Sequence, residues 1–122
     1  MKLKRYIEIP IYGARLWIVV AKDLHKARRK FEYLFGPITP TNYNALCSRD
    51  DGYGKFGLFF KPEALTRQTI AHEIFHLTHR ILEWVGAPFE PSHHEYAALL
   101  NGYLTETVYK VLEPCLRQRA KI

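Results

Sequence analysis

The stretch Thr69-Ile70-Ala71-His72-Glu73-Ile74-Phe75-His76-Leu77-Thr78-His79 contains one H-E-x-x-H match, at His72, Glu73 and His76. On a helix, residues four apart lie one turn above each other, so both imidazoles reach a common point. Zinc accepts imidazole nitrogen at about 2.0–2.1 Å, and a hydrolytic site keeps three protein ligands and leaves a fourth position to water. Glu73 stands beside the first ligand, where a carboxylate takes a proton from a bound water whose pKa falls towards about 7. The pattern names His72 and His76 as metal ligands, Zn2+ as the cofactor and Glu73 as the catalytic base.

The motif lies in a run from Glu63 to Val85 that has no internal Pro or Gly and is closed by Gly86 and Pro88. This predicts a single helix. At about 100° per residue, Ile70, Ile74, Leu77, Ile81, Trp84 and Val85 share one side, and His72, His76, His79 and Glu83 line the other. A solvated face normally carries Lys, Glu and Gln. Three histidines and a carboxylate mark either a metal site or a satisfied polar seam.

Before the helix, Tyr43 to Arg49 and Lys55 to Lys61 read as two strands around Asp50-Asp51-Gly52-Tyr53-Gly54, a hairpin signal. Asp51-Gly52 belongs to a turn, since the other positions of a calcium loop are missing. Pro62 suits a helix start. Nearer the N-terminus, Tyr6 to Ile11 and Ala14 to Ala21 are strand candidates, and Tyr12-Gly13 joins them as a hairpin or as one bent strand. Asp23 caps an expected helix through Phe35, with Leu24, Ala27, Phe31 and Leu34 at helical spacing. Its other face, Lys26, Arg28, Arg29 and Lys30, is either a nucleic-acid contact or a solvated surface.

After the motif, Gly86 to Pro91 forms a tight connection and Ser92 opens a last helix through about Leu112. Tyr96, Leu99, Leu100, Tyr103, Leu104, Val108 and Leu112 give it an apolar side that packs on its predecessor. The order is two strands, helix, two strands, helix, helix. This predicts one α+β domain spanning residues 1–122, with a small sheet covered by helices.

Composition agrees with that reading. The chain has 122 residues, 48% hydrophobic and 25% charged, which fits one globular domain and excludes disorder. The formal net charge of +6 allows nucleic acid or an acidic protein as partner, although the basic residues are scattered along the sequence. Cys47 and Cys115 have no C-x-x-C spacing and read as two reduced thiols of a cytosolic protein. Met1-Lys2-Leu3-Lys4-Arg5 looks like the start of a signal peptide, but Pro10, Gly13 and Arg15 interrupt the segment after it. The apolar run Leu16 to Ala21 is too short for a signal core or a membrane span, so a cytoplasmic location and no membrane partner are expected.

The third zinc ligand is sought on the last helix. Glu95 lies nineteen residues after His76, at the start of a helix that must fold back antiparallel. Ser92-x-x-Glu95 is also a capping box, in which Glu95 would reach only a backbone donor. His93 and His94 are rivals for the same place. Glu83 is a further candidate, either orienting a ligand or pairing with His79 one turn away.

His72-Glu73-x-x-His76 with Glu95 on a second helix resembles the gluzincin branch of the zinc metallopeptidases, in a very small, minigluzincin-like form, over about Phe56 to Tyr109. The pattern Ile81-Leu82-Glu83, Gly86, His94-Glu95-Tyr96 and Leu100-x-Gly102-Tyr103-Leu104 is similar to small phage proteins with an H-E-x-x-H helix. Ala71 to His76 is locally similar to the repressor-cleaving peptidases of mobile elements. The resemblance implies a zincin-like domain, a short antiparallel or mixed sheet packed on the active helix and a second helix carrying the glutamate. It also implies zinc held by His72, His76 and Glu95, and an extended peptide bound along the strand Lys55 to Phe60. Phage origin would put the protein in the host cytoplasm.

The chain departs from gluzincins at Leu99, where many carry an acidic residue one turn after the glutamate ligand. His79, Glu83, Tyr96 and Tyr103 are then the candidates for orienting the ligands or steadying the transition state. Two functions are open: a zinc metallopeptidase acting on a peptide or protein substrate, or an inactive zinc-stabilised protein that binds nucleic acid or an acidic host protein.

Overall fold

Leu16, Ile18 and Val20 on one face of β2 (Ala14–Val20) are 0% exposed, and Val19 on the other is 5% exposed. A strand covered on both sides needs layers above and below it. The computed structural model, which describes residues 2–39, 42–87 and 94–120, has that arrangement. A four-stranded mixed sheet runs in the order β1-β2-β4-β3, with β1 at Leu3–Ile9, β3 at Ala45–Arg49 and β4 at Lys55–Phe60. The pairs β1–β2 and β3–β4 are antiparallel hairpins, and β2 meets β4 in parallel.

Two short helices, α1 (Leu24–Arg29) and α2 (Glu32–Phe35), cover one face, where Leu24 and Phe31 pack with Val19 and Phe59. The long helices α3 (Arg67–Trp84) and α4 (Glu95–Ala120) cover the other. There Ile70, Ile74, Leu77 and Ile81 of α3 and Leu100, Leu104, Val108 and Leu112 of α4 bury the side chains of Leu16, Ile18, Phe56 and Leu58. The apolar stripe read from the sequence is this contact, except that Val85 at its end is 41% exposed.

Several boundaries differ from expectation. The first strand begins at Leu3 rather than Tyr6, and Pro10 to Gly13 form a hairpin turn in which Ile11 has φ of 73°. The helix expected from Asp23 to Phe35 is two helices, because the chain leaves helical geometry at Phe31, whose φ is −107° and whose ring turns into the core. The motif helix starts at Arg67, four residues later than Glu63. A 3-10 turn at Pro62–Ala64 precedes it, and Thr66 caps it by accepting from the Thr69 N–H. The last helix runs past Leu112 to Ala120 through Pro114, and Cys115 is buried beyond it. The connection through Pro91 and the expected start at Ser92 fall outside the described residues.

The strand Lys55 to Phe60, expected to offer its edge to a substrate, is not an edge strand. β4 is interior, paired with β2 on one side and β3 on the other, so its main chain is not free to take another strand. The edge on that side is β3. Arg49 of β3 pairs with Glu83 of α3, and Trp84 Nε1 donates to Gly52 O at 3.2 Å, so the hairpin and the end of α3 are tied together. Among the described residues, no helix is long and apolar enough to cross a membrane.

Candidate metal centre

Position on α3 decides what each motif residue meets. His72 and His76 stand on the side of the helix away from the sheet, and their Nε2 atoms approach to 3.1 Å. Two nitrogens held by one tetrahedral zinc at about 2.0–2.1 Å would lie roughly 3.3 Å apart, so the pair fits such an ion. Glu73 turns instead to the flank of α3 and is 7% exposed, with Oε1 4.0 Å from His72 Nε2. Burial raises its pKa, opposed by His72 and by Arg80. His76 is lowered by desolvation first, then by His72, Arg80 and His79.

Arg80 and Cys47 complete this flank. Arg80 is half-buried, and its charge is felt at Glu73, at His76 and at Cys47 of β3. Burial pushes the Cys47 thiol up to about 12. In the sequence Cys47 reads only as a reduced thiol and Arg80 is passed over, although Arg80 stands four residues after His76 and seven after Glu73, a spacing that puts it on the same flank.

The described residues do not bring Glu95 to the pair. No group of three His, Cys, Asp or Glu among them is arranged to hold a metal ion. The register of the helices explains this. The Thr78 hydroxyl is 2.9 Å from Asn101 Oδ1, and Arg119 Nη1 donates to Pro62 O at 3.3 Å, so α3 and α4 run antiparallel with Thr78 level with Asn101. Glu95 then falls level with the end of α3, roughly 12 Å along the axis from His76 at about 1.5 Å per residue. It is exposed, and about 160° around α4 from the buried stripe of Ala97, Leu104 and Val108.

The other candidates are dispersed. Glu83 is engaged by Arg49 of β3. His79 lies close enough to lower His76. Tyr96 and Tyr103 line a cleft of about 210 Å³ with Ile9 to Tyr12 and Leu99, and no histidine contributes to it. His94 is exposed, its carbonyl accepting the Ala98 N–H at 2.9 Å. His93 and the Ser92 half of the capping box lie outside the described residues.

No protein-family model, curated protein or solved structure matches this chain.

Proposed function

We propose that this chain is a small zinc-dependent peptidase in which His72 and His76 are metal ligands and Glu73 moves the proton. The observation that carries the reading is the approach of the two imidazole nitrogens to 3.1 Å, with a buried carboxylate oxygen 4.0 Å from one of them. Zinc, when bound, would supply Lewis acidity and ease the ionisation of water at neutral pH. Glu73 would accept the proton of the attacking water at a carboxylate oxygen and deliver it to the departing amine nitrogen. A carboxylate whose pKa is raised by burial suits both halves of that transfer, since it holds a proton better than an exposed one.

Glu95 is the third ligand that the gluzincin resemblance implies, and its distance from the pair makes it the residue to test. Substrate would lie along β3, whose outer edge no strand covers among the described residues, adding a strand through main-chain hydrogen bonds.

The test is metal content and hydrolysis of a quenched peptide library by four proteins: wild type, His72→Ala with His76→Ala, Glu73→Gln, and Glu95→Ala. About one zinc per chain in wild type and none in the double variant is expected. Glu73→Gln should keep its zinc and lose hydrolysis by about 100-fold or more. Zinc retained in Glu95→Ala would remove Glu95 from the ligand set, and a wild type that takes up no added zinc would sink the reading.

A further inference from the structure

The face of the sheet opposite the histidine pair holds a second feature, which peptide hydrolysis does not use. A cleft of about 480 Å³ lies between the start of β1 and α1, and Lys2, Lys4, Lys22, Lys26 and Lys30 stand around it. These lysines are scattered in sequence, and folding brings them to one place. All five are exposed, and among the described residues none is paired with a carboxylate. The one acid in the lining is Asp23, whose side chain already accepts the Lys26 backbone N–H at 3.0 Å. A second, more open hollow shares Lys26 and Lys30 and adds Arg29 and one acid, Glu32, so three cations against one carboxylate extend the basic surface around α1.

Cations gathered in a concavity with an apolar floor concentrate an anion there. Val19 and Ala27 line the base of the cleft, with Phe31 beside them. Aromatic rings flank the charge. Lys4 Nζ lies 5.5 Å from the centre of the Phe31 ring, and Tyr33, 77% exposed, stacks on Phe31 at 6.5 Å and 16°. Tyr6, two residues after Lys4 and so on the same face of β1, is 45% exposed and leans on Trp17 at 4.9 Å.

We propose that this cleft binds single-stranded nucleic acid, with the lysines on the phosphodiester backbone and Tyr33 offering a stacking face to a base. Charge and exposed rings together are the pattern of sequence-tolerant single-strand binding. A duplex is too wide for a cleft of this size. A membrane surface calls for protruding apolar groups, and the apolar groups here form the floor. An acidic protein would use the lysines and leave the rings without a role.

The experiment is fluorescence anisotropy of the full chain with a labelled oligothymidylate about twenty nucleotides long, from about 25 to 300 mM salt. Vesicles containing phosphatidylserine, polyglutamate and a duplex of equal length serve as competing probes. The variants are Lys4→Gln/Lys26→Gln/Lys30→Gln, Tyr33→Ala, and a control, Lys110→Gln/Arg117→Gln, whose charges lie on α4. Among the described residues none of the three lysine side chains donates a hydrogen bond, and circular dichroism checks that each variant is folded. The oligonucleotide should bind saturably, and the triple variant should bind about tenfold or more weakly, with a log–log salt slope smaller by about 2. Tyr33→Ala should weaken binding about threefold or more with the slope unchanged. Absence of binding at the lowest salt, or a triple variant no weaker than the control, overturns the proposal. So does polyglutamate or vesicle binding as tight as the oligonucleotide with no effect of Tyr33→Ala, which would make the cleft a site for charge alone.

Discussion

Arg28 on α1 donates from Nε to Ser48 Oγ on β3 at 2.9 Å, although twenty residues separate them in sequence. The same guanidinium donates from Nη1 to Gly36 O at 2.8 Å and from Nη2 to Phe35 O at 3.3 Å, and it lies 5.5 Å from the Phe35 ring centre. One buried cation therefore holds α1, the end of α2 and the edge strand together. Burial lowers its pKa, opposed by Glu32. Arg28→Met removes three donors and leaves one buried and two part-buried acceptors unpaired, so stability in urea should fall by about 3–5 kcal/mol. Arg28→Lys should recover only part of this, because an ammonium cannot present the planar fork.

Gly54 and Trp84 give a second prediction. A Cβ at residue 54 would stand 2.5 Å from two atoms of the Trp84 ring, and Gly54 has φ of +76°. Gly54→Ala should cost roughly 2–4 kcal/mol through strain and overlap. Trp84→Phe in the same chain should return the overlap part and leave the backbone part, a coupling that a double-mutant cycle in urea measures.

Ile11 predicts the opposite sign. It is 98% exposed and sits at φ of 73°, a region that β-branched residues avoid. Ile11→Asn relieves that strain with little packing lost, and the melting temperature should rise, with a gain of about 1 kcal/mol.

Cys47 ties stability to alkaline pH. Its folded pKa is raised from 9.0 to about 12 by burial, so the fold favours the protonated thiol. The contribution is complete below about 9 and declines as pH rises towards about 12, because the unfolded chain releases its proton first. Urea midpoints of wild type should fall more steeply between those limits than those of Cys47→Ala, whose remaining titrating groups are the same. At pH near 8, a thiol reagent should modify native Cys47 far more slowly than the unfolded chain.

How much of the fold and the site is legible in the sequence depends on whether the signal is local. Ile70, Ile74, Leu77 and Ile81 repeat at helical spacing, and Asp50 to Gly54 carries turn chemistry in its own letters. In the structure Asp50 accepts the N–H groups of Tyr53 and Lys55, both at 3.1 Å. The break at Phe31 is hidden because Leu24, Ala27, Phe31 and Leu34 keep their helical spacing across it. Burial of Arg28, which sits among Lys26, Arg29 and Lys30, is hidden for a similar reason, since its partners come from other elements. The candidate site divides the same way. Two histidines one turn apart need only the helix, whereas Glu95 depends on where α4 meets α3, which Thr78 and Asn101 fix.

The sheet order governs how the chain reaches this state. Each hairpin closes over a short turn, but β2 and β4 meet at a constant separation of forty positions, from Arg15 with Lys55 to Val20 with Phe60. Docking one finished hairpin on the other is therefore the slow, entropically costly step of folding. Until it happens, Phe56-Gly57-Leu58-Phe59-Phe60 presents an open apolar edge, a sequence type prone to pair with its own copies. Refolding yield is consequently a contest between two encounters of the same strand, one with β2 of its own chain and one with a neighbour, and dilution favours the first.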